Sequence, residues 1–167
     1  MATILAHLSL TYSTLKPGPC DIFAAGGTPC VAAHSTVRAL LSAPYQGCPS
    51  RWPTASQSCA LYQVKRASDG SLMNISVLPT GFADAAGQDA FCAGTNCTIQ
   101  RIFDQTAFGS HLDVAPPGGA HWAEDVPVNA SRERLTVGGN PVYSAYFEVA
   151  SIQPRSRDPP LPIFCHP

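Results

Sequence analysis

The pattern of hydrophobic and polar positions predicts short elements separated by many turns. Residues 31–42 are rich in Ala and Leu and contain neither Gly nor Pro. Because Val37, Leu40 and Leu41 could share one face, this segment is predicted to be a helix. A second, shorter helix is predicted over 83–94, where a glycine provides the C-cap. These two helices account for little of the chain.

Alternating and β-branched runs predict strands over much of the remainder. The segment 61–78 is predicted to be a hairpin that turns at Asp69-Gly70, and 133–149 a second hairpin with Gly138-Gly139-Asn140 at its tip. Residues 97–105 are predicted to form a further strand. Residues 43–60 and 111–122 are predicted to be loops because they lack periodicity.

Composition supports a single, β-rich globular domain. The chain has 167 residues, of which 16 are Pro and 13 are Gly, which favours short elements over a helix bundle. It is 45% hydrophobic and 13% charged, with a net charge of −1. This balance argues against disorder and against nucleic acid as a partner. No apolar run approaches the roughly 20 residues of a membrane span, so no membrane partner is expected.

Seven cysteines indicate an oxidising compartment. They occur as the near pairs Cys20/Cys30, Cys48/Cys59 and Cys92/Cys97, with Cys165 left over, and none has the CxxC spacing of a zinc site. Disulfides are therefore favoured over a metal, and no cofactor is expected.

Sequons also favour an extracellular glycoprotein. Asn74 and Asn129 begin such sequons, whereas the one at Asn96 is disfavoured if the neighbouring Cys97 is cross-linked. Residues 1–17 make a poor secretory signal, since they have no basic start and no clear cleavage site.

Candidate catalytic residues are few. Asp104 and Asp113 flank a loop and could act as a glycosidase acid/base pair, although turn and capping roles are favoured. Ser110, His111 and Asp113 have the residue types of a triad but are too close in sequence for its usual arrangement. His34 is favoured as a packed histidine over a base. The aromatic residues that could stack on sugars are Tyr45, Trp52, Trp122, Tyr143 and Tyr146.

Five blocks in order carry a family resemblance. They are "GPCDIFAAGGTPCVAAHSTVRAL", "LYQVKRASDG", "AAGQDAFCAGTNCTI", "FDQTAFGSHL" and "APPGG". Together they resemble the catalytic domain of the fungal α-L-arabinofuranosidase B family, glycoside hydrolase family fifty-four. The resemblance implies a mainly β fold: a partial, disulfide-linked β-sandwich of the concanavalin or jelly-roll type, with one or two short helices. This sandwich is expected to be incomplete.

The resemblance also implies a function. Members are extracellular enzymes that remove terminal arabinofuranosyl groups from arabinan and arabinoxylan with retention of configuration, so the expected partner is an arabinose-containing polysaccharide. By position, Cys20–Cys30 and Cys92–Cys97 match the family's two early disulfides. The first bridge is then expected to pin the N-terminal segment to the start of the helix at 31–42.

Three departures from the family are expected to matter. Residues 48–59 look inserted, either as a loop closed by Cys48–Cys59 or as translated intron sequence, which is favoured. The family-like domain is expected to span 18–148, with an unrelated tail at 149–167. The family's nucleophilic glutamate and acid/base aspartate lie beyond that region. The chain is therefore expected to be an inactive fragment, and the alternative is a non-catalytic sugar-binding module or a non-functional truncated product.

Overall fold

The computed structural model describes residues 15–45, 59–117 and 125–147, and these contain two helices, a 3₁₀ turn and six strands. In chain order they are α1 (Pro19–Ala25), the 3₁₀ turn (Ala43–Tyr45), β1 (Ala60–Arg66), β2 (Leu72–Ser76), α2 (Ala85–Phe91), β3 (Cys97–Ile102), β4 (Leu112–Asp113), β5 (Glu133–Val137) and β6 (Asn140–Ser144). The mainly β, disulfide-linked fold expected from the sequence is confirmed in this part of the chain.

The main sheet is antiparallel and has the strand order β2-β1-β3-β4. Strand β1 is central, so it is covered by neighbours on both edges, and its residues Leu61, Tyr62 and Val64 are fully buried. These residues form one hydrophobic core with Ile75 of β2 and Ile99 of β3. The three consecutive apolar residues at the start of β1, Ala60, Leu61 and Tyr62, are all buried, so this end of the strand is covered on both faces.

The first predicted hairpin is confirmed as β1 and β2. Its turn is stabilised by Asp69, whose carboxylate accepts hydrogen bonds from the Arg66 guanidinium and from the Ser71 amide. Gly70 adopts a φ of +72°, a left-handed conformation that favours glycine. The predicted turn chemistry therefore determines where the chain reverses.

The helix predicted at 31–42 is wrong. This segment contains no helix, and its backbone groups find partners elsewhere: the Leu40 amide donates to the Gln105 side chain at 2.6 Å, and the Ala39 amide donates to the Gly81 carbonyl at 2.8 Å. The Ser35 hydroxyl also accepts hydrogen bonds from the amides of residues 37 and 38, which competes with helix formation. Long-range contacts override local propensity here.

The helix near the first bridge is instead α1, which precedes Cys30. Pro19 occupies its first turn, where a missing amide hydrogen costs nothing. The Asp21 carboxylate accepts a hydrogen bond from the Gly18 amide at 2.7 Å, as in a capping box. The Cys20–Cys30 disulfide therefore joins the first turn of α1 to the extended segment that follows it. The expectation that this bridge attaches the N-terminal segment to a helix at 31–42 is wrong, because no helix forms there.

The remaining predicted elements are present with shifted ends. Helix α2 covers 85–91 of the predicted 83–94, and Gly94 lies beyond its C-cap residue, Cys92, with a φ of +73°. Strand β3 ends at residue 102, short of the predicted 105, and the Gln105 amide donates to the Ala33 carbonyl of another segment. The predicted loop at 111–122 begins with the short strand β4.

The second predicted hairpin is confirmed as β5 and β6, which form a separate two-stranded sheet. Its β6 residue Tyr143 donates a hydrogen bond to Asp89 of α2 at 2.6 Å, and Arg134 of β5 binds both of these side chains. These contacts attach the small sheet to α2. Among the described residues, no helix has the length and apolar character needed to cross a membrane.

Candidate functional site

The Asp104 carboxylate organises the loop that follows β3. Its Oδ1 accepts hydrogen bonds from the amides of Ala33 and Thr106, each at 2.9 Å. Its Oδ2 accepts from the Thr106 hydroxyl at 2.7 Å and from the Ser110 amide at 3.0 Å. Four donors therefore surround one buried side chain and join the 31–42 segment to the loop at 104–111.

These hydrogen bonds keep Asp104 ionised. Burial by itself raises the pKa of the carboxyl, but the hydrogen bonds from Thr106, Ala33 and Ser110 outweigh it and lower the pKa from 3.8 to about 2. A general acid must hold a proton near working pH, so this environment is unsuited to that role. The favoured interpretation of Asp104 as a turn carboxylate agrees with its geometry.

Two histidines pack against the same loop. His34 Nε2 lies 2.6 Å from the Ser110 carbonyl oxygen, and since a carbonyl can only accept, this nitrogen carries the proton. His111 Nδ1 accepts a hydrogen bond from the Asp104 amide at 3.0 Å, and the ring packs edge-on against Phe103. Both imidazoles hold backbone groups of the loop, so the interpretation of His34 as a packed histidine fits the structure.

Asp113 forms an ion pair with Arg101 and does not act together with Asp104. It lies opposite Arg101 in the β3–β4 ladder, and the guanidinium of Arg101 binds both of its carboxylate oxygens. The hydrogen bonds from Arg101 lower the pKa of Asp113. The arrangement is therefore an exposed ion pair that closes the end of the sheet.

The structure brings Asp104, Ser110 and His111 together but does not assemble a triad. Nδ1 of His111 is occupied by a backbone amide, and Asp113 is bound to Arg101. In a triad, by contrast, an aspartate accepts a hydrogen bond from the histidine. No group of three potential metal ligands lies close together within the described part of the chain.

The predicted sugar-stacking residues are mostly unavailable. Tyr45 and Tyr143 are buried, and burial raises the pKa of both hydroxyls. Tyr146 is exposed, with the Arg132 guanidinium 4.3 Å from its ring centroid. Trp52 and Trp122 lie outside the described residues.

The two disulfides implied by the resemblance are both present. Cys20–Cys30 and Cys92–Cys97 have sulfur–sulfur distances of 2.08 Å and 2.02 Å. Cys59 is also disulfide-bonded, while its predicted partner Cys48 lies outside the described residues, as does Cys165.

The two predicted glycosylation sites differ in their surroundings. The side chain of Asn129 is exposed, and its oxygen accepts a hydrogen bond from the Ser131 amide. Asn74 is half-buried in β2, where its oxygen accepts a hydrogen bond from Gln63. Attachment of glycans at either residue stays a prediction.

Sequence reasoning missed two buried glutamines that hold segments together. Gln88 of α2 accepts a hydrogen bond from the buried Tyr62 hydroxyl and donates to the Ala130 carbonyl at 2.7 Å. Gln105 links the loop after β3 to residues 38 and 40. Glutamine is usually exposed, so neither residue carried a signal of burial. The spacing of apolar residues around them did not indicate burial either.

Comparison with known proteins decides the family. Residues 19–156 match the family described as alpha-L-arabinofuranosidase B, catalytic. The chain belongs to this family. The resemblance found in the five sequence blocks is thereby confirmed, while the predicted domain limits of 18 and 148, the insertion at 48–59 and the unrelated tail stay predictions.

Curated relatives extend this finding. The chain is 49% identical to an alpha-L-arabinofuranosidase of Hypocrea jecorina over 138 residues, which are 80% of this chain and 25% of that protein. It is 48% identical to alpha-L-arabinofuranosidase B of Aspergillus oryzae over 139 residues, again 80% and 25% of the two proteins. The chain therefore spans about a quarter of the length of the relatives it matches.

Solved structures of arabinofuranosidases share the fold of this chain. One is an arabinofuranosidase complexed with arabinofuranosyl-alpha-1,2-xylobiose, with a TM-score of 0.63 and 44% identity. Another is a family fifty-four α-L-arabinofuranosidase soaked with a cyclic sulfate inhibitor, with a TM-score of 0.64 and 44% identity. Each alignment covers 77% of this chain and 25% of the other.

Proposed function

We propose that this chain is the N-terminal part of a retaining α-L-arabinofuranosidase that releases terminal arabinofuranosyl groups from arabinan and arabinoxylan. The observation that carries the proposal is the 49% identity to a named α-L-arabinofuranosidase over 80% of the chain. A solved relative complexed with arabinofuranosyl-alpha-1,2-xylobiose supports an arabinose-containing saccharide as the substrate. The role would be in hemicellulose degradation.

We further propose that these 167 residues do not hydrolyse arabinofuranosides by themselves. Most described carboxylates are engaged in structural hydrogen bonds or ion pairs. These are Asp21, Asp69, Asp84, Asp89, Asp104 and Asp113. A retaining glycosidase needs two carboxyl groups about 5–5.5 Å apart, one of them free to act as a nucleophile. None of these six carboxylates fits that role.

Secretion and glycosylation belong to the same proposal. Disulfides such as Cys20–Cys30 and Cys92–Cys97 in a small β-rich domain are typical of proteins that fold in an oxidising compartment. The exposed Asn129 is the better of the two candidate acceptors for an N-linked glycan because its side chain reaches solvent. These features support the proposed extracellular location.

A chimaera tests the function. Residues 19–156 of this chain would replace the matched quarter of the Hypocrea jecorina enzyme, and hydrolysis of 4-nitrophenyl α-L-arabinofuranoside would be measured. We expect the chimaera to be active and the isolated chain to be no faster than an enzyme-free blank. A folded but inactive chimaera would contradict the proposed function.

Two controls make the result of the isolated chain decisive. Turnover by the isolated chain that is lost in Asp104→Ala or Asp113→Ala would contradict its predicted inactivity, whereas turnover that survives in both variants would have to arise from other residues or a contaminant. The alternative of a non-catalytic saccharide-binding module is tested by calorimetry with arabinoxylan oligosaccharides. Its support is the exposed Tyr146, and absence of heat at millimolar ligand would reject it.

A further inference from the structure

An apolar groove lies beside the β3–β4 end of the main sheet. Its walls are β3 and β4, the segment 125–128, and the chain just after β6. The most exposed apolar side chains in it are Val126, at 90% of full exposure, and Phe147, at 71%. Leu112 of β4 adds a third, half-exposed apolar side chain.

The size and lining of the groove disfavour a saccharide. Its volume is about 210 Å³, whereas small-molecule sites usually measure roughly 300–1,000 Å³. Sugar recognition also needs convergent polar groups, but two of the few polar side chains here, Arg101 and Asp113, bind each other. A groove of this size and polarity suits one or two large apolar side chains of a polypeptide.

The relatives indicate where such a polypeptide would come from. This chain matches about a quarter of each related arabinofuranosidase, so three quarters of those proteins have no counterpart in it. Strand β4 has two residues and lies at the edge of the sheet. An edge strand presents unpaired amide and carbonyl groups that can receive further chain.

We propose that this groove is the surface on which the remaining part of an arabinofuranosidase catalytic domain packs, by inserting apolar side chains between Val126 and Phe147. The inference rests on the proposed function, because it takes the occupant from the relatives of this chain. Two strongly exposed apolar side chains, Val126 and Phe147, beside an open sheet edge provide the contact surface for this packing.

Matched variants test the groove within the chimaera described above. Val126→Asp with Phe147→Ser changes the groove, and Val31→Asp with Phe108→Ser changes side chains of similar exposure, 77% and 74%, that do not line it. If the groove is covered, we expect the first pair to lower the midpoint of thermal unfolding by about 5 °C or more and the control pair by about 2 °C or less. Equal midpoints for the two pairs would overturn the proposal.

The full 167-residue chain provides the reference state. All four side chains are exposed in it, so both pairs are expected to change its midpoint by no more than about 2 °C. A selective loss of stability on changing the groove in this chain alone would mean that the chain fills its own groove, and would overturn the proposal. Sedimentation that shows a dimer broken only by the groove variants would assign the surface to a second copy, with the same consequence.

Dye binding extends the test to a chimaera that does not fold. The full chain is expected to enhance the fluorescence of 8-anilinonaphthalene-1-sulfonate, and the groove variants to reduce it about twofold more than the controls. Equal fluorescence would overturn the proposal. Activity and midpoint separate the two hypotheses: an inactive, folded chimaera with a selective midpoint loss contradicts only the function, and an active chimaera with equal midpoints contradicts only the groove.

Discussion

At the scale of single residues, Gly18 shows how a close approach can require glycine without any unusual backbone angle. Its φ of −86° is open to every residue type, but a Cβ there would lie 2.3 Å from the Leu40 carbonyl oxygen. That carbonyl accepts a hydrogen bond from the Cys20 amide at 2.9 Å, so it is not free to move away. The requirement is therefore steric and involves the backbone of another segment.

We expect Gly18→Ala to lower the free energy of unfolding by about 1–3 kcal/mol, because the methyl group must displace backbone. Gly26→Ala is the matched control, since its nearest atom is 3.5 Å from the added Cβ and its φ is −82°. The control is expected to change the free energy by no more than about 0.5 kcal/mol. Urea unfolding of both variants measures the difference, and equal effects would contradict the steric explanation.

Asp104 is a buried carboxylate whose ionisation should matter for stability at low pH. Its pKa is about 2 in the folded chain against an ordinary value of 3.8. Because the folded pKa is the lower one, the stabilisation is fully present above about pH 4 and is lost as pH falls through about 2. Asp104→Asn is expected to cost about 1–3 kcal/mol at neutral pH, since the amide group cannot accept from all four donors.

Thermal unfolding between pH 5 and 2 checks this expectation. The difference between the wild-type chain and Asp104→Asn should shrink as the carboxyl of the wild type takes up its proton. Asp113→Asn is the control, because its ion pair with Arg101 is exposed and such pairs contribute about 0–1 kcal/mol. A pH-independent difference between the wild-type chain and Asp104→Asn would show that the charge of Asp104 contributes nothing.

At the scale of elements, the sequence correctly predicted those that are determined by residues close together in the chain. Both hairpins carry their own turn residues, Asp69-Gly70 and Gly138-Gly139, and both form where expected. The helix at 31–42 was wrong because the partners of that segment lie far along the chain, at residues 81, 104 and 105. Composition and periodicity do not predict contacts between residues that are far apart in sequence. For the same reason, the burial of Gln88 and Gln105 was not predicted.

The candidate site follows the same division. The types of Asp104, Asp113 and His34 were visible in the sequence, and the favoured structural roles of Asp104 and His34 agree with the contacts observed. Asp113 has neither the turn nor the capping role favoured for it, because it lies in a strand and forms an ion pair with Arg101. The four donors around Asp104 were not visible, because they come from segments whose approach depends on the fold. Residue type therefore suggested the candidates, and only the fold revealed what each of them binds.

At the scale of the whole molecule, one core joins most of the described chain. It extends from Ala39 through the central strand β1 to Ala130, and Ala145, just after β6, packs against it. The small β5–β6 sheet is also attached to α2 through Tyr143 and Asp89, and its Val142 is fully buried. A two-stranded sheet is marginal alone, so these contacts should make it unfold together with the main sheet.

We therefore expect one cooperative thermal transition for the full chain, with the same midpoint by far-UV circular dichroism and by tyrosine fluorescence.

Each disulfide should raise this midpoint, and the one that closes the longer loop should raise it more. Cys20 and Cys30 are ten positions apart, and Cys92 and Cys97 are five apart. In the chain-entropy description these loops contribute about 3 and about 2 kcal/mol.

Replacing each pair with alanine is expected to lower the midpoint by about 6–12 °C for Cys20/Cys30 and about 4–8 °C for Cys92/Cys97. The reverse order would mean that packing of the buried sulfur atoms, rather than loop closure, dominates the contribution of the bridges.

Two separate thermal transitions in the wild-type chain would contradict the single core. They would mean that the β5–β6 sheet unfolds independently despite its contacts with α2.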